Sequence, residues 1–311
     1  MLSEAFYWLC NISIIGSITG ILVLILRRIK LLPRFGVYFL WLIVLIKFWV
    51  PFGIANQYSL MNFISRFGTK TIVLYNRSPL TMDDFNLRIT ATNSLQAARS
   101  YHPLVYKTNV LKDIFQYASV VWIIVSIAAL LTVCLLYYFT KSELKNVELI
   151  RDNIYQSDQI GAPAVYGIIH PRIIIPSSVA KGNIDYIILH EQVHIKRRDN
   201  LLRVVAVLTA CVHWFNPLAW IFLKYFLIDM ELACDAKVVK QLDQSSSKEY
   251  ALAVLNASAG RAFFVSAFGG AKTKVRVEHI LSYKKLAFLS LLVIIIMVGV
   301  IAITMLTNAV G

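Results

Sequence analysis

The sequence predicts a mainly α-helical membrane protein with about four transmembrane helices and one cytoplasmic α+β domain. Of its 311 residues, 58% are hydrophobic and only 15% are charged, whereas soluble domains carry about 25% charged residues. Four apolar runs have about the length of 20 residues that crosses a bilayer. Between the third and fourth runs the chain becomes polar and contains a short β-branched stretch, which indicates a folded domain outside the lipid.

The charges that flank the apolar runs predict their orientation. A basic cluster of Arg27, Arg28, Lys30 and Arg34 follows the first run. Such clusters stay cytoplasmic, so we expect an outer N-terminus and an uncleaved first anchor. The predicted topology has a membrane region at 1–139 with spans at about 5–26, 36–54 and 117–139, an external loop at 55–116, a cytoplasmic domain at 140–285, and a final span with an outer C-terminus within 286–311.

The net charge of +14 does not indicate a nucleic-acid-binding protein. The basic residues are scattered or lie beside apolar runs, where membrane topology explains them. We therefore expect the lipid bilayer as a partner and no direct contact with nucleic acid.

The stretch DYIILHEQVHIKRRDN, residues 185–200, contains the pattern His-Glu-x-x-His. In a chain of this composition the pattern arises by chance about 0.003 times. Asn183 suits an N-cap and the isoleucines supply an apolar face, so we expect a helix. His190 and His194 are one turn apart on it, and both imidazoles can reach one zinc ion at about 2.0–2.1 Å. Glu191 lies beside them and can act as the base for a zinc-activated water.

A catalytic zinc needs a third protein ligand, and the best candidate is Glu231 in DMELACDAKVV. On a helix Glu231, Cys234 and Asp235 lie at i, i+3 and i+4 and share one face. Asp235 can accept a hydrogen bond from a ligand histidine. Cys234 is either a rival thiolate ligand or a buried structural thiol. His170 and His213 are also rival ligands, but neither has helical spacing to another donor.

The apolar segment 204–228 is long enough for a further span, which would carry Glu231 roughly 37 Å away from the histidines. The pair Asn216-Pro217 in its middle is a strong helix break. We therefore expect a helical hairpin that returns Glu231 to the same side, so that the zinc lies beside the membrane near its inner face.

The stretch AVYGIIHPRIIIPSS, upstream of the zinc motif, predicts one or two short strands. Pro171 and Pro176 favour an edge position, because proline cannot donate to a strand ladder. An edge strand beside a zinc helix can accept a peptide substrate as an added strand, although an ordinary hairpin that covers the core fits equally well.

Three motifs in order resemble one family. LHEQVHIKRRDN, HWFNPLAW and DMELACDAKVV follow an apolar N-terminal third and the element GIIHPRIIIP. Together they look like the membrane metallopeptidase domain of the bacterial BlaR/MecR receptors. The resemblance implies a gluzincin fold on the cytoplasmic side of the plasma membrane, one Zn²⁺ held by His190, His194 and Glu231, and Glu191 as base. It also implies self-cleavage and loss of a cytoplasmic DNA-binding repressor, which leads to expression of antibiotic-resistance genes.

The family's receptors continue into an external penicillin-binding sensor, whereas this sequence ends at Gly311. We therefore expect a sensorless relative or a chain whose sensor was removed, with the external loop as the remaining place for an external ligand. For self-cleavage, the small residues of 256–274 predict a cleavable loop around Ser266, Ala267 and Phe268, although a plain linker fits too.

Two further functions fit parts of the sequence. A membrane quality-control protease of the HtpX type shares the His-Glu-x-x-His motif and the downstream Glu. A non-catalytic transducer would use the zinc structurally, but it would not need a base at Glu191. An intramembrane site-2 protease is disfavoured because residues 185–200 are too charged to span lipid. A homodimer is an open alternative to a monomer.

Overall fold

A computed structural model describes residues 2–29, 32–50, 56–59, 109–142, 147–179, 181–257, 273–283 and 288–307. These residues are mainly helical and include one small sheet. The helices are α1 (Leu2–Leu26), α2 (Arg34–Trp49), α3 (Asn109–Ser142), α4 (Ile184–Arg197), α5 (Asp199–Val212), α6 (Pro217–Val239), α7 (Gln244–Ala257), α8 (Thr273–Leu281) and α9 (Phe288–Leu306). The strands are β1 (Glu148–Arg151), β2 (Ile154–Ser157), β3 (Ala164–Tyr166) and β4 (Arg172–Pro176).

The chain divides into two compact units. The helical unit comprises Met1–Lys30, Phe39–Ile127 and Leu289–Gly311, and the α+β unit comprises Leu31–Tyr38 and Ala128–Phe288. The α+β unit contains the sheet, the His-Glu-x-x-His helix and the first residues of α2.

Among the described residues, two helices are long and apolar enough to cross a membrane, namely Leu2–Leu26 and Asp113–Phe139. They coincide with the predicted first and third spans. The second predicted span corresponds to α2, which has 16 residues, and the last corresponds to α9, which has 19 residues. Helix α2 is shorter than the roughly 17–25 residues of a membrane-crossing helix, whereas α9 falls within that range. Most of the predicted external loop lies outside the described residues.

Helix α1 keeps its buried polar side chains satisfied within the helix itself. Ser17 donates a hydrogen bond to the carbonyl of Ser13 at 2.7 Å, and Thr19 donates to the carbonyl of Gly16 at 2.8 Å. Such local bonds allow hydroxyl groups in an apolar environment. Gly16 also permits a close approach of α2, because a Cβ at this position would lie 2.6 Å from the Phe48 ring.

The sheet has the strand order β1-β2-β4-β3. Strand β4 pairs in parallel with β2 and antiparallel with β3. The predicted edge position of the proline-flanked strand is therefore wrong, since β4 is internal and the edges are β1 and β3. The ladder tolerates the prolines because Pro171 precedes β4 and Pro176 is its last residue. The β1–β2 hairpin was not predicted.

Helix α4 lies between the sheet and a group of helices. Ile184, Ile188 and Ile195 pack against the buried isoleucines of β2 and β4. On another face Val193 packs into a core that α6, α7 and α8 share. Packing on both sides fixes the rotation of α4, which decides where its histidines point.

The N-terminus of α4 differs from the prediction, and its C-terminus is followed by a left-handed residue. Asn183 precedes the helix in a helical conformation and makes no side-chain cap, because a short 3₁₀ turn, Lys181–Asn183, leads into it. The helix ends at Arg197, and Arg198 takes a left-handed conformation with φ 56°. Asp199 therefore begins the next helix rather than ending this one.

The predicted helix break is present. Helix α5 ends at Val212 and α6 begins at Pro217, where the side chain of Asn216 accepts a hydrogen bond from the Leu218 N–H at 3.0 Å. Proline at the first helical position loses no hydrogen bond there. Helices α5 and α6 pack against each other, and α6 brings Glu231 back to α4.

Candidate metal centre

Two histidines and one glutamate point at one another in the interior of the α+β unit. Nε2 of His190 and Nε2 of His194 are 3.1 Å apart. The Glu231 carboxylate lies 3.5 Å from the first nitrogen and 3.7 Å from the second. Ligands at about 2.0–2.1 Å from a tetrahedral zinc are about 3.3–3.4 Å apart, so this spacing fits one zinc ion.

The second nitrogen of each imidazole is held by a hydrogen bond. Nδ1 of His190 is 2.7 Å from the hydroxyl of Tyr250, which itself donates to Asp235 at 2.6 Å. The tyrosine oxygen therefore accepts from Nδ1–H, and Nε2 of His190 faces Nε2 of His194 and the Glu231 carboxylate. Nδ1 of His194 is 2.7 Å from Oδ2 of Asp199. This arrangement is the usual support of metal-binding histidines, and it turns both Nε2 atoms towards Glu231.

Cys234 also belongs to the cluster. Its ligand atom lies within 4.8 Å of those of both histidines, so His190, His194 and Cys234 are a second set that could hold a metal. However, the thiol sulfur lies 3.5 Å from Nδ1 of His190 and from the His190 carbonyl oxygen. The sulfur thus approaches the His190 nitrogen that also contacts Tyr250, whereas Glu231 faces both Nε2 atoms. Cys234 and Glu231 are therefore the two candidate third ligands.

Asp235 supports the site through intermediaries. We expected it to accept directly from a ligand histidine, but its Oδ1 is 3.4 Å from Nδ1 of His190, and Tyr250 makes the shorter bonds to both. Arg276 of α8 donates to both carboxylate oxygens of Asp235, at 2.8 and 2.7 Å. This bidentate pair fixes the guanidinium beside the metal-binding atoms.

Arg276 also contacts the candidate ligands themselves. Its Nη2 lies 3.2 Å from Nε2 of His190, and its Nη1 lies 3.6 Å from Glu231. Arg203 of α5 lies 3.5 Å from the other Glu231 oxygen. Neither arginine was predicted from the sequence, because their distances along the chain from the motif give no periodic signal.

The electrostatics of the cluster favour positive charge between its acidic groups. Burial alone raises the pKa of Glu231, but the charge on His194, hydrogen bonds from both histidines and the charge on Arg276 hold that pKa well below its usual value. Burial lowers the pKa of His194, but the negative charges of Cys234 and Glu231 and the bond to Asp199 raise it well above its usual value. The two shifts therefore favour an ionised Glu231 beside a protonated His194.

The other predicted residues have different surroundings. Glu191 is buried on α4 next to His190, at 8% exposure. His170 is exposed in the turn before β4, and His213 is buried at the end of α5. Among the described residues, the group of donors that could hold a metal ion is His190, His194 and Cys234, so it includes neither of these rival histidines. Ser266, Ala267 and Phe268 lie outside the described residues.

Asp199 is a site residue that the sequence analysis missed. It is fully buried and holds His194 from the first turn of the next helix. The sequence does contain a hint of this role, because the carboxylate of Asp199 follows His194 by five residues. Only the left-handed turn at Arg198 brings it back to the imidazole.

The sequence is similar to those of known proteins. Residues 7–282 match the profile of the family described as BlaR1 peptidase M56. The chain is 36% identical over 103 residues to Regulatory protein BlaR1 of Bacillus licheniformis, covering 32% of this chain and 17% of that protein. It is 32% identical over 109 residues to the Methicillin resistance mecR1 protein of Staphylococcus aureus, covering 34% of this chain and 19% of that protein.

A longer match extends over most of the chain. It is 26% identical over 253 residues to Regulatory protein BlaR1 of Staphylococcus aureus, covering 73% of this chain and 41% of that protein. The matched segments thus span less than half the length of these curated relatives. The profile match covers most of the first long apolar helix, all of the second and all the residues of the candidate metal centre, and it confirms the family that the motifs resemble. The chain belongs to the BlaR1 peptidase M56 family.

Proposed function

We propose that this chain is a multi-pass membrane zinc metalloendopeptidase with a gluzincin fold that acts in signal transduction. His190, His194 and Glu231 hold one zinc ion. The observation that carries the proposal is the convergence of the two Nε2 atoms, 3.1 Å apart, on the Glu231 carboxylate, whose Oε2 lies 3.5 Å from His190 and whose Oε1 lies 3.7 Å from His194. A purely structural zinc site is usually closed by four protein ligands, whereas a set of three leaves a position for water.

Each protein group has a role in peptide hydrolysis. When bound, zinc supplies a Lewis acid that lowers the pKa of a water ligand to about 7 and polarises the carbonyl of the scissile bond. Glu191 accepts the proton of the attacking water and returns it to the leaving amine. Tyr250 and Asp199 keep the two imidazoles oriented. Asp235 is the further supporting residue, through Tyr250 and Arg276.

The proposed substrates are the chain itself and a cytoplasmic transcriptional repressor, in a response to β-lactam antibiotics. The names of the relatives, a regulatory protein and a methicillin resistance protein, support this class of role. The segment around Ser266, Ala267 and Phe268 is the proposed place of self-cleavage. Membership in this family favours signalling over the quality-control alternative.

The proposed topology places the α+β unit in the cytoplasm of a bacterial cell. Four spans, at about 5–26, 36–54, 117–139 and within 286–311, leave both termini outside and residues 140–285 inside. The two long apolar helices and the basic cluster after the first of them support this arrangement.

The test compares the parent with Glu191→Gln in membranes that also contain the repressor encoded nearest to this gene. We expect Glu191→Gln to keep about one zinc per chain and to lose cleavage of itself and of the repressor. Glu249→Gln, which neutralises an exposed carboxylate of α7, is the matched control and should cleave normally. Zinc is counted by mass spectrometry, and fragment termini are sequenced. Equal cleavage by Glu191→Gln and the parent would overturn the proposal, and zinc binding without cleavage by the parent would favour the non-catalytic transducer.

A further inference from the structure

The first residues of α2 belong to the α+β unit and reach the support of the metal cluster. The hydroxyl of Tyr38 donates a hydrogen bond to Oδ1 of Asp199 at 2.8 Å. The other oxygen of the same carboxylate binds Nδ1 of His194 at 2.7 Å. A chain of two short bonds therefore connects Tyr38, 161 residues before Asp199, with a candidate metal ligand.

The aromatic ring of Tyr38 is held on two sides. It stacks on Phe226 of α6, with ring centroids 5.8 Å apart and an interplanar angle of 12°. The guanidinium of Arg197, the last residue of α4, lies 4.2 Å from the centroid of the Tyr38 ring. One turn earlier in α2, Arg34 pairs with the buried Asp229 of α6 at 3.8 Å. The position of the hydroxyl is thus set by contacts with two helices that carry metal-binding residues.

The Asp199 carboxylate can orient His194 only if its own orientation is fixed. Arg197 lies 3.3 Å from Oδ1, on the same side as the Tyr38 hydroxyl. Oδ2 is then left to His194. Because Asp199 is fully buried, a lost donor is not readily replaced by water, and the carboxylate can rotate away from the imidazole.

We propose that Tyr38 is a positioning residue of the metal centre, which acts through Asp199 to hold His194 with Nε2 towards the metal. The proposal rests on the proposed function and deepens it. Helix α2 is continuous from Arg34 to Trp49, so a shift or rotation of this helix moves the Tyr38 hydroxyl. The affinity of the site for zinc thereby depends on the position of a proposed membrane span, which is a route for regulation of the same site.

The test measures zinc affinity in the detergent-solubilised full chain, by competition with a chelator. Tyr38→Phe keeps the ring contacts and removes only the hydroxyl. We expect zinc binding about tenfold weaker, at the lower end of the 10–100-fold range for partners of metal ligands. The absorption spectrum of the cobalt-substituted protein should shift as His194 reorients. Tyr186→Phe is the matched control, because it loses a 2.7 Å bond to the exposed Glu249 and should leave both readouts unchanged.

A double-mutant cycle identifies the route. In an Asp199→Asn background, Tyr38→Phe should cause little further loss of zinc affinity, whereas additive losses would overturn the proposal. 4-Aminophenylalanine at position 38 retains a donor and should restore affinity. If Tyr38→Phe does not fold, the variant with 4-aminophenylalanine at position 38 is compared with a variant that has 4-methoxyphenylalanine there. The methoxy group cannot donate a hydrogen bond, so the second variant should bind zinc more weakly.

The outcomes separate the two proposals. A parent that binds zinc and cleaves its substrate, with the same affinity and cobalt spectrum in Tyr38→Phe, overturns only the positioning role of Tyr38. A parent that binds no zinc overturns the proposed function and the positioning role together.

Discussion

His194 and Asp199 are five residues apart in the chain, lie on different helices and are joined by a 2.7 Å contact between Nδ1 and Oδ2. The left-handed conformation of Arg198 makes this contact available, because it ends one helix and starts the next at an angle. Such a conformation costs a non-glycine residue roughly 1–2 kcal/mol, and here it serves the orientation of a candidate metal ligand.

Replacement of Asp199 by Asn should weaken zinc binding by about 10- to 100-fold, because the neutral amide no longer stabilises and orients the imidazole of His194. Affinity is measured by chelator competition. Asp185→Asn serves as the control, because it changes an exposed carboxylate in the first turn of α4, the helix that carries His194. A normal affinity in Asp199→Asn would show that His194 needs no such partner.

The two candidate third ligands can be separated by substitution. Loss of a residue that only supports a metal ligand weakens zinc binding by at most roughly 100-fold. Glu231→Gln should weaken zinc binding by more than this, and Cys234→Ala should weaken it by less. The cobalt-substituted parent should lack the intense absorption of a thiolate ligand. The reverse order of the two effects would assign the metal to His190, His194 and Cys234.

Zinc affinity should rise with pH. Burial lowers the pKa of His194, but nearby negative charges raise it well above its usual value, so the metal-free pair is protonated near neutral pH. The 3.1 Å separation from His190 leaves room for one proton between the two Nε2 atoms. Zinc must displace that proton, so affinity should increase about tenfold per pH unit from pH 6 to 8. Calorimetry in buffers of different ionisation enthalpy counts the released protons, and a pH-independent affinity would contradict this prediction.

Removal of the metal should destabilise the α+β unit. A ligand present at 1,000 times its dissociation constant adds about 4.1 kcal/mol to the free energy of unfolding, which corresponds to about 8–16 °C in melting temperature for a domain of this size. Thermal unfolding is followed with and without a chelator. Glu231→Gln should show almost no difference between the two conditions, and a similar chelator effect in this variant would indicate a different metal site.

Loss of the Arg276 guanidinium should destabilise the metal-free protein. Burial raises the pKa of Asp235, but the charge and hydrogen bonds of Arg276 hold it below its usual value. Arg276→Met leaves this buried carboxylate without its cation, at a cost of about 3–5 kcal/mol in the free energy of unfolding. Denaturant titration measures the change, and the exposed Lys274→Met of the same helix should change it by less than about 1 kcal/mol. Equal effects of the two variants would contradict this role.

Much of the fold followed from local signals. The long apolar runs predicted α1 and α3, and the Asn216-Pro217 pair predicted the break between α5 and α6. These signals are reliable because bilayer crossing and proline geometry depend on composition and on neighbouring residues. The edge strand was predicted wrongly because strand order depends on pairing with β2, whose short sequence shows no marked periodicity.

The sequence by itself determined the spacing of His190 and His194, the presence of Glu191 between them and the family of the chain. These features depend on helical periodicity and on motif order, which are local. Only the tertiary structure decided that Glu231 faces both Nε2 atoms, that Tyr250 and Asp199 hold the two Nδ1 atoms, and that Arg276 and Tyr38 complete the support. Those contacts join residues from separate helices, and their formation depends on how the helices pack rather than on any spacing along the chain.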